Sequence, residues 1–126
     1  MGYVRLKPDR PRTSKGKADG DKPVKYESPK GKPNRAYFPP KTRAVLADPA
    51  APLLLTEGEK KAAKADQEGF ACIGLVGVWG WQKAKSKAEG PAGETAPRQL
   101  IPDLAAVAWG GRLVYLAYDS DLADNR

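Results

Sequence analysis

Residues 112–121 read RLVYLAYDSD, an apolar run that ends in two aspartates, Asp119 and Asp121. A second run, LLLTEG at residues 53–58, ends in the carboxylate of Glu57. Near-continuous apolar runs of this kind are the pattern of parallel strands covered on both faces. Ligands of open α/β sheets gather at the carboxyl ends of such strands. The two runs therefore predict strands of one sheet, with Glu57, Asp119 and Asp121 together at one edge. None of the three has a basic residue adjacent in sequence. Carboxylates brought this close repel one another without a cation, and hard oxygen ligands suit Mg²⁺. The bland reading of Asp119 and Asp121 is loop and helix-cap chemistry, because Asp is common before helices.

Between the runs the pattern predicts a βαβ unit with a right-handed crossover. Its first strand is Leu53–Thr56. Thr56 followed by Glu59 is a capping-box spacing that opens a helix through EKKAAKADQE, closed by Gly69. Ala62, Ala63 and Ala65 are the apolar positions of that helix, and Asp66 does not extend its stripe. The second strand is Phe70–Leu75. GLVGVWGW at residues 74–81 is a glycine-rich exit that is neither GxGxxG nor a Walker A loop. Trp79 and Trp81 either stack on a base or cap the core. Residues 82–97 read as a polar loop, and Ile101–Trp109 as a helix with Pro102 at its first position.

LLLTEGEKKAAKADQEG followed by LVYLAYDSD resembles the Toprim domain of DnaG-type primases, topoisomerases and related nucleases. That family is marked by a strand-end Glu-Gly and then a DxD at the end of a later strand. KYESPKGKPNRAYFPP before the glutamate and GLVGVWGW after it resemble the Toprim-like domain of phage and plasmid replication proteins. The likeness covers Lys22–Arg126. It implies a Rossmann-like Toprim fold with a small, mostly parallel sheet and Mg²⁺-dependent phosphoryl or nucleotidyl transfer. Asp119 and Asp121 would hold Mg²⁺, and Glu57 would be a further ligand or a general acid/base. The implied partners are single-stranded DNA and a helicase or other replication protein. A full Toprim unit runs on past the DxD, so the chain is expected to be truncated relative to that family.

Charge is uneven along the 126 residues. Residues 1–48 carry 13 Lys/Arg against 5 Asp/Glu, and residues 49–126 carry 9 against 10, giving the net +7. A basic arm on a near-neutral folded unit suits a polyanion; the alternative is a solvated leader. The expected organisation is a basic, irregular arm at 1–21, a basic and aromatic hairpin-like segment with a connector at 22–48, and the partial α/β domain at 49–126. Lys25, Lys30, Lys32 and Arg35, with Lys60 and Lys61 on the helix, are the candidate nucleic-acid contacts.

One cysteine, Cys72, and no histidine exclude an internal disulfide, a Cys/His zinc site and any Ser-His or Cys-His mechanism. No apolar stretch approaches the ~20 residues of a membrane span, which leaves the cytoplasm as the expected compartment. Two rivals come from other classes. A haloacid-dehalogenase-type phosphatase also ends a strand in DxD, but it wants Thr or Val where this chain has Ala123. The other is a non-catalytic nucleic-acid-binding or assembly module of a replication protein. A Walker-type ATPase lacks its P-loop here.

Overall fold

The computed structural model describes residues 3–15, 21–84 and 97–119. The chain divides into two compact units, Met1–Pro33 and Asn34–Arg126. In the first, β1 (Thr13–Lys15) pairs antiparallel with β2 (Asp21–Pro23). Leu6 exchanges backbone hydrogen bonds with Glu27, and the Arg12 guanidinium pairs with the Glu27 carboxylate at 2.7 Å. Arg5 lies 5.1 Å from the centre of the Tyr26 ring. The stretch expected to be irregular up to residue 21 thus contributes a strand. The expected hairpin within residues 22–40 is replaced by pairings of its two ends with other segments: Glu27 with Leu6, and Tyr37 with Gly74.

The second unit runs α1 (Pro40–Ala44), β3 (Leu53–Glu57), α2 (Glu59–Gln67), β4 (Cys72–Leu75), α3 (Pro102–Ala105) and β5 (Val114–Leu116). Its sheet has the order β4-β3-β5, and both neighbours run parallel to β3. This is the Rossmann-like α/β arrangement expected. Leu54 to Glu57 pair with Cys72 to Leu75, and Leu53 to Leu55 with Val114 to Leu116. All three carboxyl ends therefore face the same way.

Alternation along the strands divides the core between the two faces. Leu53, Ile73 and Leu75 point one way and pack with Ile101, Leu104 and Val107. Burying each such side chain contributes about 1.5–3 kcal/mol. The opposite face takes α2, seated on Ala62, and below it α1. Gly74 makes that approach possible. A Cβ there would lie 3.0 Å from the Gly58 carbonyl oxygen and 3.1 Å from the Ala62 Cβ.

Three polar groups tie these layers. Asp66, on the buried side of α2 with Ala62, accepts hydrogen bonds from the Thr42 N–H and the Thr42 hydroxyl, both at 2.7 Å. A weaker one comes from the Lys41 N–H at 3.3 Å. The carboxylate thereby serves the free N–H groups at the start of α1, which no side chain of its own caps. Thr42 Oγ1 also accepts from the Cys72 N–H at 2.8 Å, joining both helices to β4. Arg112 is buried, and its guanidinium donates to the carbonyls of Val45, Leu46, Ala51 and Ala108. It ties the segments entering β3 to those leaving α3.

Three expectations are corrected. Thr56 is not a helix cap; its hydroxyl donates to the Ala117 carbonyl at 2.8 Å, and Gly58 stands at the N-cap of α2 with φ 93°. The predicted helix over 101–109 is a single turn, Pro102–Ala105, because the Ala108 N–H donates to the Leu46 carbonyl and the Leu104 carbonyl accepts the Trp109 indole N–H, so the next helical bond is not made. The third strand is not buried on both faces. Leu113, Tyr115 and Leu116 are 55%, 52% and 66% exposed. β5 is the outer strand, and among the described residues nothing pairs with its free edge. The outer edge of β4, by contrast, is covered by Tyr37, which exchanges hydrogen bonds with Gly74 at 2.8 and 2.9 Å. Among the described residues no helix is long and apolar enough to cross a membrane.

Candidate functional site

The carboxyl edge of the sheet is assembled by register. Ala117 N–H donates to the Leu55 carbonyl at 2.8 Å, continuing the β3–β5 pairing one step past the strand. Carried further, that register sets Tyr118 level with Glu57 and Asp119 level with Gly58. Glu57 and Asp119, 62 positions apart in the chain, thus arrive at one end of one sheet, as expected. Asp121 lies outside the described residues.

Within that edge the two carboxylates have different neighbours. Glu57 shares the face of Leu53 and Leu55 and is half-buried. Its neighbour there is Tyr118, whose phenol is pushed up by burial and further by the Glu57 charge. Asp119 is exposed and meets α2, where Lys61 Nζ lies 2.6 Å from its Oδ1. Glu57 and Asp119 flank the edge from opposite faces, joined through the tight Glu57-Gly58-Glu59 turn that starts α2. Gly58 takes a φ that an L side chain rarely adopts, which is the local reason a glycine follows Glu57.

The remaining predicted contacts fall on separate bodies. Lys25, Lys30 and Lys32 are exposed on the first unit. Arg35 and Lys60 are exposed on the second, where Arg35 Nε bonds the Asp103 carboxylate at 2.7 Å. Asp103 also accepts the Ala36 N–H at 3.0 Å, so Arg35 helps to fix the chain segment along β4. Lys61 is engaged with Asp119. Two participants were not legible from the sequence: Tyr118 as neighbour of Glu57, and Lys61 as partner of Asp119. Aligning the ends of LLLTEG and LVYLAYD would have set Tyr118 opposite Glu57; nothing local signalled the ion pair.

Cys72 is buried, and its thiol is pushed up to about 11 by burial and by the nearby Asp66 charge. A buried thiol so seldom ionised is a poor nucleophile at neutral pH. Among the described residues no three of Asp, Glu, Cys or His are grouped to hold an ion. Glu57 and Asp119 are the described carboxylates at that edge, and Mg²⁺ is a cation that takes one or two carboxylates and keeps several waters.

Fold and edge together define an α/β domain with a parallel sheet and acidic side chains at its carboxyl end. Residues 43–126 match the family described as a domain of unknown function, DUF3854, and the chain belongs to that family. It is also similar to an uncharacterized protein of Picosynechococcus sp. (strain ATCC 27264 / PCC 7002 / PR-6), 30% identical over 140 aligned residues. That alignment covers 92% of this chain but 14% of the relative's length. No solved structure matches the chain significantly.

Proposed function

We propose that this chain is a Toprim-like domain that carries out Mg²⁺-dependent phosphoryl or nucleotidyl transfer on nucleic acid, as part of a cytoplasmic replication protein of the primase type. The observation that carries this reading is the parallel register that sets Glu57 of β3 and Asp119, just past β5, at the same sheet edge. Mg²⁺ supplies neutralisation of charge on the transferring phosphate. Glu57, Asp119 and Asp121 would hold the ion, with Glu57 the alternative group to move a proton at the reacting oxygen. Tyr118 is the register neighbour of Glu57, and its phenol feels the Glu57 charge. Lys61, the ion-pair partner of Asp119, is the basic group at that edge that would engage a phosphate. The partners are single-stranded DNA and a helicase or other replication protein.

The test is incorporation or cleavage on a labelled single-stranded oligonucleotide with nucleoside triphosphates, with and without Mg²⁺. Activity that needs Mg²⁺ and is lost in Glu57→Gln and Asp119→Asn supports the enzyme. Binding that persists without turnover, and is indifferent to Mg²⁺ and to both variants, leaves the non-catalytic binding module instead.

A further inference from the structure

The loop leaving β4 carries a feature that the metal chemistry does not use. Trp81 is half-buried against the core, but Trp79, two residues earlier, is 61% exposed. Its position is built rather than incidental. A Cβ on Gly80 would lie 2.4 Å from the Val76 carbonyl oxygen, so the chain folds back on itself there only because residue 80 has no side chain. Gly80 N–H donates to the Gly77 carbonyl at 3.1 Å, and Gln82 N–H to the Trp79 carbonyl at 3.4 Å. These bonds set Trp79 on the outer crest of a tight turn.

Over the indole lies Arg98, its guanidinium carbon 5.2 Å from the ring centre. The two arrive together because residues 81–83 and 99–101 pair antiparallel. Lys83 N–H donates to the Gln99 carbonyl at 2.8 Å, and Ile101 N–H to the Trp81 carbonyl at 2.9 Å. Lys83 is exposed on the same pair of segments, its ammonium 3.3 Å from the Gln99 side-chain oxygen. The loop starts directly after Leu75, whose register partner is Glu57. An exposed indole, a stacked guanidinium and a second cation therefore stand on the paired segments that follow β4.

We infer that Trp79 and Arg98 form a stacking platform for an unpaired base of single-stranded nucleic acid, with Arg98 and Lys83 facing the flanking phosphates. The inference rests on the nucleic-acid reading above and extends it to a second subsite. Every base has a π face, so such a platform is tolerant of sequence, and a planar guanidinium extends the stacking surface while adding charge.

The test is binding of an oligothymidylate, and of an abasic oligonucleotide of equal length, in EDTA, read by tryptophan fluorescence and by anisotropy. Wild type should bind the oligothymidylate more tightly than the abasic strand, with quenched emission. Trp79→Ala should weaken oligothymidylate binding about ten-fold or more, the usual effect of losing one base–aromatic stack, and abolish most of the quench. Trp79→Phe should retain most of the affinity. Arg98→Ala should also flatten the salt dependence by roughly one phosphate contact, about 0.7 in the logarithmic slope. Equal binding by wild type and Trp79→Ala, or equal binding of the two strands, overturns the platform and leaves the metal-dependent reading standing. A wild type that binds no single strand even at low salt overturns both the platform and the nucleic-acid reading beneath it.

Discussion

Lys61 Nζ lies 2.6 Å from Asp119 Oδ1, joining the first turn of α2 to the segment past β5 across 58 residues of sequence. Both side chains are about half exposed, so the pair adds at most about 1 kcal/mol to stability. Its larger consequence is competition, because the ammonium already draws on the carboxylate charge that a divalent ion at Asp119 would use, and the two cations repel each other. Lys61→Gln should therefore tighten Mg²⁺ binding about two- to five-fold, while Asp119→Asn weakens it. Calorimetric titration of both variants checks this. Unchanged affinity in both would remove Asp119 from the metal site.

Tyr118 offers a reporter on the other face of the same edge. Burial and then the Glu57 charge raise its phenol above the ordinary value. Glu57→Gln should lower it, and so should a cation bound at Glu57, because less negative charge opposes the phenolate. The change is read by ultraviolet titration of wild type minus Tyr118→Phe, with and without Mg²⁺. A Tyr118 titration that ignores both the substitution and the ion would place Glu57 outside the site.

Below the site, Asp66 and Thr42 carry the acid response. Burial raises the Asp66 carboxyl, but hydrogen bonds from Thr42 and Lys41 and the Lys41 charge outweigh it, so the net shift is downward from 3.8. A depressed folded value means the contribution is complete above the unfolded value and is lost as pH falls through the folded one. Asp66→Asn should be less stable at pH 7, and its stability should fall less steeply than that of wild type below about pH 4. Thr42→Val leaves the Cys72 N–H and Asp66 short of a partner and should cost about 1–3 kcal/mol at neutral pH. Urea melts across pH measure both. Parallel pH profiles for wild type and Asp66→Asn would discard the proposed role of Asp66.

What the sequence made legible was local and periodic. The apolar runs at 53–56 and 112–118, the helix closed at Gly69 and the order Glu57 before Asp119 all follow from patterns that need no partner to be seen. The groups that lock the fold did not. Asp66 stands four residues after Ala62 and so on the same helical face, but an acidic residue there reads as a break in the stripe until Thr42 is known to receive it. Arg112 opens the run RLVYLAYD, and its four carbonyl partners come from segments that only the tertiary fold gathers. The exposure of Leu116 is hidden for the same reason, since an apolar run does not say whether its strand ends up central or outermost.

The first unit gives a prediction about charge. Lys25, Lys30 and Lys32 are exposed there, on a body with its own antiparallel pairing. Changing all three to Gln should leave the melting temperature nearly unchanged, because exposed charges contribute little. Single-strand binding should weaken and its salt slope should fall by roughly 0.7 for each phosphate contact removed. A slope equal to wild type would make these lysines solubilising only.

Gly74 and Gly80 separate the two halves of the sheet edge experimentally. A Cβ on Gly74 meets the Gly58 carbonyl oxygen at 3.0 Å, the Ala62 Cβ at 3.1 Å and the Glu59 Cα at 3.4 Å. Gly74→Ala therefore pushes on the start of α2 and on the turn that follows Glu57, without altering any charged group. Overpacking of this kind costs about 1–3 kcal/mol. Because the push falls on Gly58 and Glu59, Mg²⁺ affinity should drop along with stability. Gly80→Ala meets backbone at 2.4 Å and should disturb the Val76–Trp79 turn at least as severely. Its damage lies in the loop after β4, so single-strand binding should suffer while Mg²⁺ affinity is kept. Melting, metal titration and oligonucleotide binding on the two variants decide the matter. If both lose metal and nucleic-acid binding in equal proportion, the edge is one cooperative surface and the division into a metal centre and a stacking crest fails.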